Sequence, residues 1–291
     1  MISIVADGGP GVGLGHLGRC SAIAGALRAR GLEVTCHAYG ADEPVTIDGV
    51  EWNPGAAGGD VVVLDSYTMP ADERDALVAG APLAAMHDFG GAPPGAALVV
   101  SVGGERRPGV LAGLAYAPLR APFWGLPQRE VRPVARRLMI TTGASDALRD
   151  AGVRLAREAV GAFPEVALVR APTATFAAPE GVELIDAPPM LLHQLLAADV
   201  VITAAGQTAL ESAATGAATV AVPFVENQQR NAAILEAAGA AVVTEPERAV
   251  AAAATLDRSA LAAGGQAAVD GFGALRIAYA IAALSRRGAG A

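Results

Sequence analysis

The sequence predicts an α/β protein made of two Rossmann-like domains with a central cleft. Three observations predict it. Short apolar runs alternate with helix-length segments along the 291 residues, a pattern typical of parallel sheets covered by helices. The alternation restarts after a proline-rich stretch near the middle of the chain. In each half a glycine-containing turn follows an apolar run, at the position where such folds bind their ligands.

The first half supplies the elements of one domain. Residues 60–64 form an almost continuously apolar run, as expected of a strand that is buried on both faces. Residues 17–30 carry apolar side chains at roughly helical spacing, and Gly31 ends that helix. The predicted strands are residues 3–5, 32–38, 60–64, 83–86 and 97–100, and the predicted helices are residues 17–30 and 72–79.

A linker is predicted where prolines accumulate and periodicity is lost. The prolines are Pro118, Pro122, Pro127 and Pro133, and such punctuation marks loops and boundaries. We therefore expect an N-terminal Rossmann-like domain at 1–130 and a C-terminal Rossmann-like, nucleotide-binding domain at 131–291.

The second half restarts the alternation of strands and helices. Its last predicted helix begins after Gly271 and Gly273 and is rich in alanine. The predicted strands are residues 137–141, 165–169, 200–203, 219–222 and 241–244. The predicted helices are residues 147–162, 190–197, 208–215, 227–238 and 274–285.

Composition and charge exclude several classes of function. The formal net charge is −8, which argues against nucleic acid as a partner. The chain contains no lysine, so it has neither a P-loop lysine nor a lysine that forms a Schiff base. Any phosphate must then be held by backbone N–H groups, arginine or hydroxyls. A small-molecule ligand is the expected partner, and the oligomeric state stays open.

No metal, cofactor or membrane span is expected. Cys20 and Cys36 lack the spacing of a zinc site, and no two of the four histidines share a metal-ligand spacing. Both cysteines are expected to be small buried residues. The first residues resemble a strand and not a signal peptide, and we found no uninterrupted apolar stretch of about 20 residues. These features predict a cytoplasmic enzyme.

The loop after the first strand contains the strongest catalytic candidate. Its glycines, Gly13, Gly15 and Gly18, match the spacing of a dinucleotide-binding turn. The second strand lacks the acid that should follow, so nicotinamide or flavin is not favoured. His16 lies between the strand and the helix, where a neutral imidazole can act as a general base. The alternative is a histidine that caps or packs on the helix.

A second turn, after the predicted strand at 200–203, has the features of a diphosphate site. Gly206, Gln207 and Thr208 open a helix and would direct backbone N–H groups and a hydroxyl at phosphate oxygens. Glu211 follows one turn later and would accept hydrogen bonds from ribose hydroxyls. The alternative for Glu211 is a solvated charge on the helix surface.

Two further turns carry polar residues at predicted strand ends. Gly143 and Ser145 would form the other wall of the phosphate site, although Ser145 would serve equally as a helix N-cap. Asn227 and Gln228 follow another strand end and would face the ligand. Asn227 is equally well placed to be an N-cap.

These motifs together resemble a known family. Ala6-Asp7 followed by Gly13-Leu14-Gly15-His16-Leu17-Gly18-Arg19-Cys20 is similar to the Gly-x-Gly-His-x-x-Arg-Cys opening of the UDP-sugar hydrolases of the pseudaminic acid pathway (PseG) and the related spore-coat polysaccharide proteins. Asp65-Ser66-Tyr67 resembles their Asp-x-Tyr element. Residues 113–123 resemble their Gly-x-x-Tyr-x-x-Leu-Arg-x-x-Phe segment. Val5 and Ala144 depart from the family pattern.

The resemblance implies a glycosyltransferase B fold, related to the MurG transferase. It implies metal-independent, inverting hydrolysis of a UDP-activated amino or deoxy sugar by attack of water at C1. By this resemblance His16 activates the water, Tyr67 lies near the sugar and Glu211 binds the ribose. The implied sugar contacts are Asp7, Gly13, Gly15, Arg19, Asn227 and Gln228. The identity of the sugar stays open.

Two alternatives use the same scaffold. In a glycosyltransferase, His16 would deprotonate an acceptor hydroxyl instead of water, and the fold cannot separate the two reactions. Apolar residues beside His16, namely Val12, Leu14 and Phe89, would support an acceptor groove. The third hypothesis is a non-catalytic protein that binds a sugar nucleotide, against which His16 argues.

Overall fold

A computed structural model describes residues 1–9, 12, 14–88, 93–143, 148–170, 174–186 and 190–288. Four of the residues considered above, Gly13, Phe89, Ala144 and Ser145, lie outside these ranges, as does the side chain of Asn227. The chain divides into two compact units. Unit 1 comprises Met1–Trp124 and Gly271–Ala291, and unit 2 comprises Gly125–Asp270.

Strands and helices alternate through both units. The strands are β1 (Ile2–Asp7), β2 (Val34–Tyr39), β3 (Val45–Ile47), β4 (Val50–Pro54), β5 (Val61–Asp65), β6 (Leu83–Met86), β7 (Ala96–Ser101), β8 (Val110–Ala112), β9 (Arg137–Thr141), β10 (Glu165–Arg170), β11 (Val182–Asp186), β12 (Val200–Ala204), β13 (Ala218–Val222) and β14 (Val242–Val243). The helices are α1 (Gly15–Arg28), α2 (Ala71–Leu77), α3 (Arg149–Ala159), α4 (Leu192–Ala197), α5 (Gln207–Thr215), α6 (Glu226–Ala237), α7 (Ala249–Thr255), α8 (Arg258–Ala268) and α9 (Gly273–Gly288).

Unit 1 is built on a sheet with the strand order β3-β4-β2-β1-β5-β6-β7-β8. Its strands pair in parallel except β3, which runs antiparallel to β4. β1 pairs with β2 on one side and with β5 on the other, so the direction of the strand order reverses between β1 and β5. Ligands of doubly wound sheets bind at the carboxyl ends of the strands at such a reversal.

The core of unit 1 includes the C-terminal helix. Ala274, Ile277, Ala278 and Ile281 are buried in the same cluster as Ile4 of β1. Their spacing of three and four residues gives α9 one apolar face, and α9 packs against α1. From the sequence we expected residues 271–291 in the second domain, whereas the structure places them in unit 1, because the apolar face of α9 completes the unit 1 core.

By length and composition alone, the segment Arg258–Arg286 would suffice to cross a membrane. The structure divides it into α8 and α9, which are separated at 269–272. The apolar face of α9 is buried among core residues of unit 1. The segment therefore has the character of core helices of a folded protein.

Unit 2 repeats the architecture on a smaller sheet. The strand order is β11-β10-β9-β12-β13-β14, and the pairs are parallel. The order reverses between β9 and β12, and side chains from both strands, including Ile140 and Ile202, form its core. The predicted α/β class with two Rossmann-like parallel sheets is confirmed.

Candidate functional site

His16 and Asp65 meet at the strand-order reversal of unit 1. His16 lies in the first turn of α1, beyond the carboxyl end of β1, and Asp65 is the last residue of β5. Because β1 and β5 are paired, with Ala6 opposite Asp65, both side chains reach the same place. His16 Nδ1 lies 2.8 Å from Asp65 Oδ1, and the Asp65 side chain is fully buried whereas that of His16 is 21% exposed.

The ionisation of Asp65 determines the tautomer of His16. Burial by itself raises the pKa of Asp65, but the Arg19 guanidinium and the hydrogen bond with His16 outweigh it and hold the pKa well below the usual range. An ionised carboxylate only accepts hydrogen bonds, so His16 Nδ1 donates to it. The lone pair of a neutral His16 is then on Nε2, the arrangement that a general base requires.

Arg19 connects two carboxylates. It follows His16 by three residues on α1, and its Nε and one terminal nitrogen each lie 2.5 Å from a different oxygen of Asp65. The other terminal nitrogen donates to Asp88, which follows β6. Burial lowers the pKa of Arg19, and the two carboxylates raise it above the ordinary value. Arg19 therefore holds the carboxylates in place, and its predicted contact with a sugar stays a prediction.

Tyr67 lies against His16. The two rings meet edge to face with centroids 5.3 Å apart, and the Tyr67 ring is 6.0 Å from that of His87. The Tyr67 hydroxyl donates to the Asp88 carboxylate at 3.1 Å and accepts from the Asp88 backbone N–H at 3.1 Å. Burial and the charge of Asp88 raise the pKa of Tyr67 to about 12. The phenol is consequently a neutral donor at ordinary pH.

Asp7 positions Tyr67 through a hydrogen bond to its backbone. Its carboxylate is 1% exposed and accepts hydrogen bonds from the Tyr67 backbone N–H at 2.8 Å and from the Thr68 hydroxyl at 2.7 Å. The Ser66 hydroxyl is a third donor. These bonds fix the turn between β5 and α2, which is the role that the structure shows for Asp7. Its predicted contact with a sugar stays a prediction.

Sequence reasoning did not single out Asp65 and Asp88 as site residues. Asp65 entered only as part of a family motif. A usable signal was present, because each acid follows a buried apolar strand and the carboxyl ends of parallel strands lie on one edge of the sheet. His16 and Tyr67 belong to the same cluster as these two acids.

In unit 2 the predicted nucleotide turn lies at the other strand-order reversal. β9 and β12 are paired so that Thr141 lies opposite Thr203, which brings the turns after both strands together. Gly143, in the turn after β9, has a φ of 105°, a conformation that favours glycine. Gly206 precedes α5, and a Cβ atom there would have no neighbour within 4 Å. The N-terminus of α5 follows this glycine, and helix N-termini carry backbone N–H groups that bind anions.

The structure distinguishes the alternatives for Glu211. Glu211 is 4% exposed, so it is not a solvated charge on the helix surface. A buried carboxylate is maintained only with partners. It lies one turn after Gln207 and Thr208, in the middle of α5.

Gln228 has a local partner in the turn before α6. Its Oε1 accepts a hydrogen bond from the Phe224 backbone N–H at 2.9 Å. The side chain therefore stabilises the connection between β13 and α6, and its predicted contact with a sugar stays a prediction. Gly15, at the start of α1, has no neighbour within 4 Å of a Cβ position, which leaves room for a ligand near His16.

Metal ligands and free thiols do not form a centre in the part of the chain that the structure describes. No group of three or more His, Cys, Asp or Glu side chains there could hold a metal ion. Cys20 and Cys36 are both buried, as expected, and unpaired with each other. Cys20 Sγ lies 3.5 Å from Asp65 Oδ2, and burial raises its pKa well above the ordinary value.

No protein-family model matches this chain, and no curated protein matches it. Solved structures do. The glycosyltransferase SsfS6 of Streptomyces sp. SF2575, complexed with thymidine diphosphate, is 20% identical with a TM-score of 0.66, and the match covers 97% of this chain and 99% of that one. The glycosyltransferase SnogD of Streptomyces nogalater is 18% identical, with a TM-score of 0.66 and coverage of 98% and 99%. MurG of Acinetobacter baumannii is 17% identical, with a TM-score of 0.65 and coverage of 97% and 99%. The chain has the glycosyltransferase B fold.

Proposed function

We propose that this protein is a glycosyltransferase that moves a sugar from a nucleoside diphosphate to the hydroxyl of an organic acceptor. The observation that carries the proposal is the His16–Asp65 pair, a base with its tautomer set by a buried carboxylate, at the strand-order reversal of unit 1. The likeness in fold to glycosyltransferases, one of them holding thymidine diphosphate, supports a nucleoside diphosphate as the leaving group.

The chemistry follows from this geometry. The acceptor hydroxyl gives its proton to His16 Nε2 while its oxygen attacks the anomeric carbon of the donor. The bond between that carbon and the diphosphate oxygen breaks, its electron pair leaves with the diphosphate, and the anomeric configuration inverts. Asp65 stabilises the imidazolium that forms, as the carboxylate partner of a catalytic histidine does.

Unit 2 supplies the nucleotide contacts in this proposal. The backbone N–H groups at the start of α5 and the Thr208 hydroxyl would neutralise the charge that grows on the leaving diphosphate. Glu211, buried one turn further on, would accept hydrogen bonds from the ribose. This arrangement suits a chain without lysine, because backbone dipoles replace a cationic side chain.

Exposed apolar surface near His16 favours an organic acceptor over water. Leu14, two residues before His16, is 45% exposed, and Tyr67 is 40% exposed. Val12 is half-buried in the same loop. Exposed apolar residues beside a polar reactive group are typical of small-molecule sites, and water as the attacking group would not need them.

Hydrolysis of a UDP-activated amino or deoxy sugar is the second candidate. Five of the residues that carry the resemblance to the pseudaminic-type hydrolases belong to one cluster in the structure: His16, Arg19 and Cys20 on α1, with Asp65 and Tyr67 at the end of β5 and just after it. In this reaction His16 would take its proton from water instead of from an acceptor.

One assay separates the two reactions. The protein is incubated without metal with a panel of UDP- and TDP-sugars, with and without a mixture of hydroxylated aromatic acceptors, and the products are followed by liquid chromatography and mass spectrometry. A glycoside formed only with acceptor supports the transferase, and release of nucleoside diphosphate without acceptor supports the hydrolase.

His16→Ala should abolish either activity, whereas His193→Ala, a change at an exposed histidine of α4 in unit 2, should leave it unchanged. Activity that survives His16→Ala would refute the proposed base. Absence of nucleotide binding in calorimetry would refute both functions.

A further inference from the structure

A cavity lies in unit 1, apart from the His16 cluster. Its volume is about 390 Å³, and it is lined by Arg106, Arg107, Val110, Ala112 and Tyr116. Its apolar residues belong to β8, the edge strand of the sheet. Four strand spacings of about 4.8 Å separate β8 from β1, so the cavity is about 19 Å from the end of β1. The volume is in the range of small-molecule sites.

The two arginines give this cavity a charge that is unusual for the molecule. The chain carries 29 acidic and 21 basic side chains, and its arginines commonly pair with carboxylates, as Arg74 and Arg137 do. Arg106 and Arg107 are adjacent and exposed. Neither guanidinium forms a hydrogen bond or an ion pair with any residue that the structure describes. Two unneutralised cations in an acidic protein create a local site for an anion.

Protection of the sheet edge does not account for all of these features. Charged residues beside an edge strand commonly prevent its pairing with another chain. That function needs neither a cavity nor a phenol. Tyr116, however, packs its ring against the unit 1 core and lines the same cavity as both arginines. The cavity thus combines two cationic side chains, a tyrosine and an apolar wall from Val110 and Ala112.

We propose that this cavity binds a small organic dianion of the phosphate monoester class. The planar guanidinium groups of Arg106 and Arg107 match the oxygens of a phosphate through paired hydrogen bonds. Two cations balance the two charges of the phosphate, and the Tyr116 hydroxyl is a further donor. Val110 and Ala112 contact the carbon part of the ligand. The proposal is independent of the reaction at His16.

Calorimetry with the full chain tests this proposal, with phenyl phosphate as the probe. Benzoate and benzyl alcohol present the same ring with one charge and with none. We expect phenyl phosphate to bind, benzoate to bind more weakly and benzyl alcohol not to bind. The double variant Arg106→Gln, Arg107→Gln should bind phenyl phosphate about tenfold or more weakly than the original protein. Arg157→Gln, a change at an exposed arginine of unit 2, should not alter its affinity.

Several results would overturn the proposal. One is that phenyl phosphate fails to bind the original protein, and another is that it binds the double variant with the same affinity as the original. Affinity for benzoate equal to that for phenyl phosphate would refute the dianion class. Displacement of phenyl phosphate by UDP would show that the probe occupies the nucleotide site. Retention of phenyl phosphate in the presence of saturating UDP supports a separate cavity.

Discussion

At the scale of single residues, Asp65 is the centre of the unit 1 cluster. Its two oxygens are in contact with His16, Arg19 and the thiol of Cys20. Because Asp65 is fully buried, its negative charge is maintained only by these partners. The same charge orients His16, so the stability of the cluster and the proposed catalysis depend on one carboxylate.

Replacing that carboxylate by an amide should separate catalysis from binding. In Asp65→Asn the side chain no longer fixes the N–H of His16 on Nδ1, and a rate loss of about 10³- to 10⁴-fold is expected, by analogy with other His–Asp pairs. Nucleotide affinity should be unchanged, because the proposed nucleotide-binding residues belong to unit 2. Steady-state kinetics and calorimetry measure the two quantities. A rate within tenfold of the original would contradict the proposed role of Asp65.

The low pKa of Asp65 also predicts how stability depends on pH. A carboxyl whose pKa is lower in the folded chain than in the unfolded chain stabilises the fold above the unfolded value of about 3.9. That contribution is lost as the pH falls below about 4 toward the folded pKa. The free energy of unfolding, measured in urea, should therefore fall more between pH 6 and pH 3 in the original protein than in Asp65→Asn. The expected difference between the two decreases is about 1 kcal/mol or more. Equal losses in both proteins would show that Asp65 is not the group responsible.

At the scale of secondary-structure elements, the start of α5 is the proposed site for the diphosphate. The open space around Gly206 indicates that the fold does not require glycine there, so a requirement for glycine would come from the ligand. Gly206→Ala should leave the unfolding midpoint unchanged and weaken nucleoside diphosphate binding about tenfold, which corresponds to about 1.4 kcal/mol. Calorimetry and thermal unfolding measure both quantities. Unchanged affinity would place the diphosphate elsewhere.

Two helical glycines of unit 1 should respond in opposite ways to alanine. A Cβ atom on Gly273, the first residue of α9, would lie 2.1 Å from the Ala117 carbonyl oxygen, whereas one on Gly25 in α1 would have no neighbour within 4 Å. Gly273→Ala should destabilise the protein by about 2 kcal/mol, because backbone must move. Gly25→Ala should stabilise it by about 0.5–1 kcal/mol. Urea denaturation compares the two, and a stable Gly273→Ala protein would mean that α9 is not anchored there.

How far the sequence predicted these elements depended on how continuously apolar they are. The long apolar runs that became β1, β5 and β12 were predicted within a residue or two, since periodicity is clear in a buried strand. The hairpin of β3 and β4 was missed because β3 has only three residues and only Val50 and Trp52 of β4 are buried, so neither strand forms an apolar run. Its Asp48-Gly49 turn, with φ values of 55° and 76°, is the usual signal of a tight hairpin and would have revealed it.

The site was predicted in part, because only some of its residues belong to local sequence motifs. His16 was found because glycines surround it, and Tyr67 because it belongs to a motif. The ion pairs of Arg19 with Asp65 and Asp88 join residues 46 and 69 positions apart. A single sequence contains no signal for the pairing of such distant charges before the strand order is known.

At the scale of the whole molecule, the chain leaves unit 1 after Trp124 and returns to it at Gly271. The sequence could predict two halves, because each half contains enough buried strands for its own core. It could not predict the return, because the apolar face of α9 shows that the helix packs on something without showing which sheet that is.

This return predicts how fragments of the chain fold. Residues 125–270 contain a complete sheet and core and should fold alone, giving cooperative urea unfolding and helical circular dichroism. Residues 1–124 should not, because they lack Ile277 and Ile281 of α9, both fully buried. Burial of each of these side chains stabilises the fold by about 1.5–3 kcal/mol. That is a large part of the free energy of unfolding of a typical domain, roughly 5–15 kcal/mol.

Restoring α9 to the first fragment should restore its fold. A Cβ atom on Gly271 would lie 3.1 Å from the Trp124 Cα, so the two ends of unit 1 are adjacent, and a linker of about three glycines joins 1–124 to 271–291 without strain. This fusion should unfold cooperatively, whereas 1–124 alone should show no transition. Replacing Ile277 and Ile281 by Ser in the fusion should abolish the transition again, because polar hydroxyls would enter the core without partners. If 1–124 alone unfolded at the same urea concentration as the fusion, α9 would be an accessory of unit 1 and not part of its core.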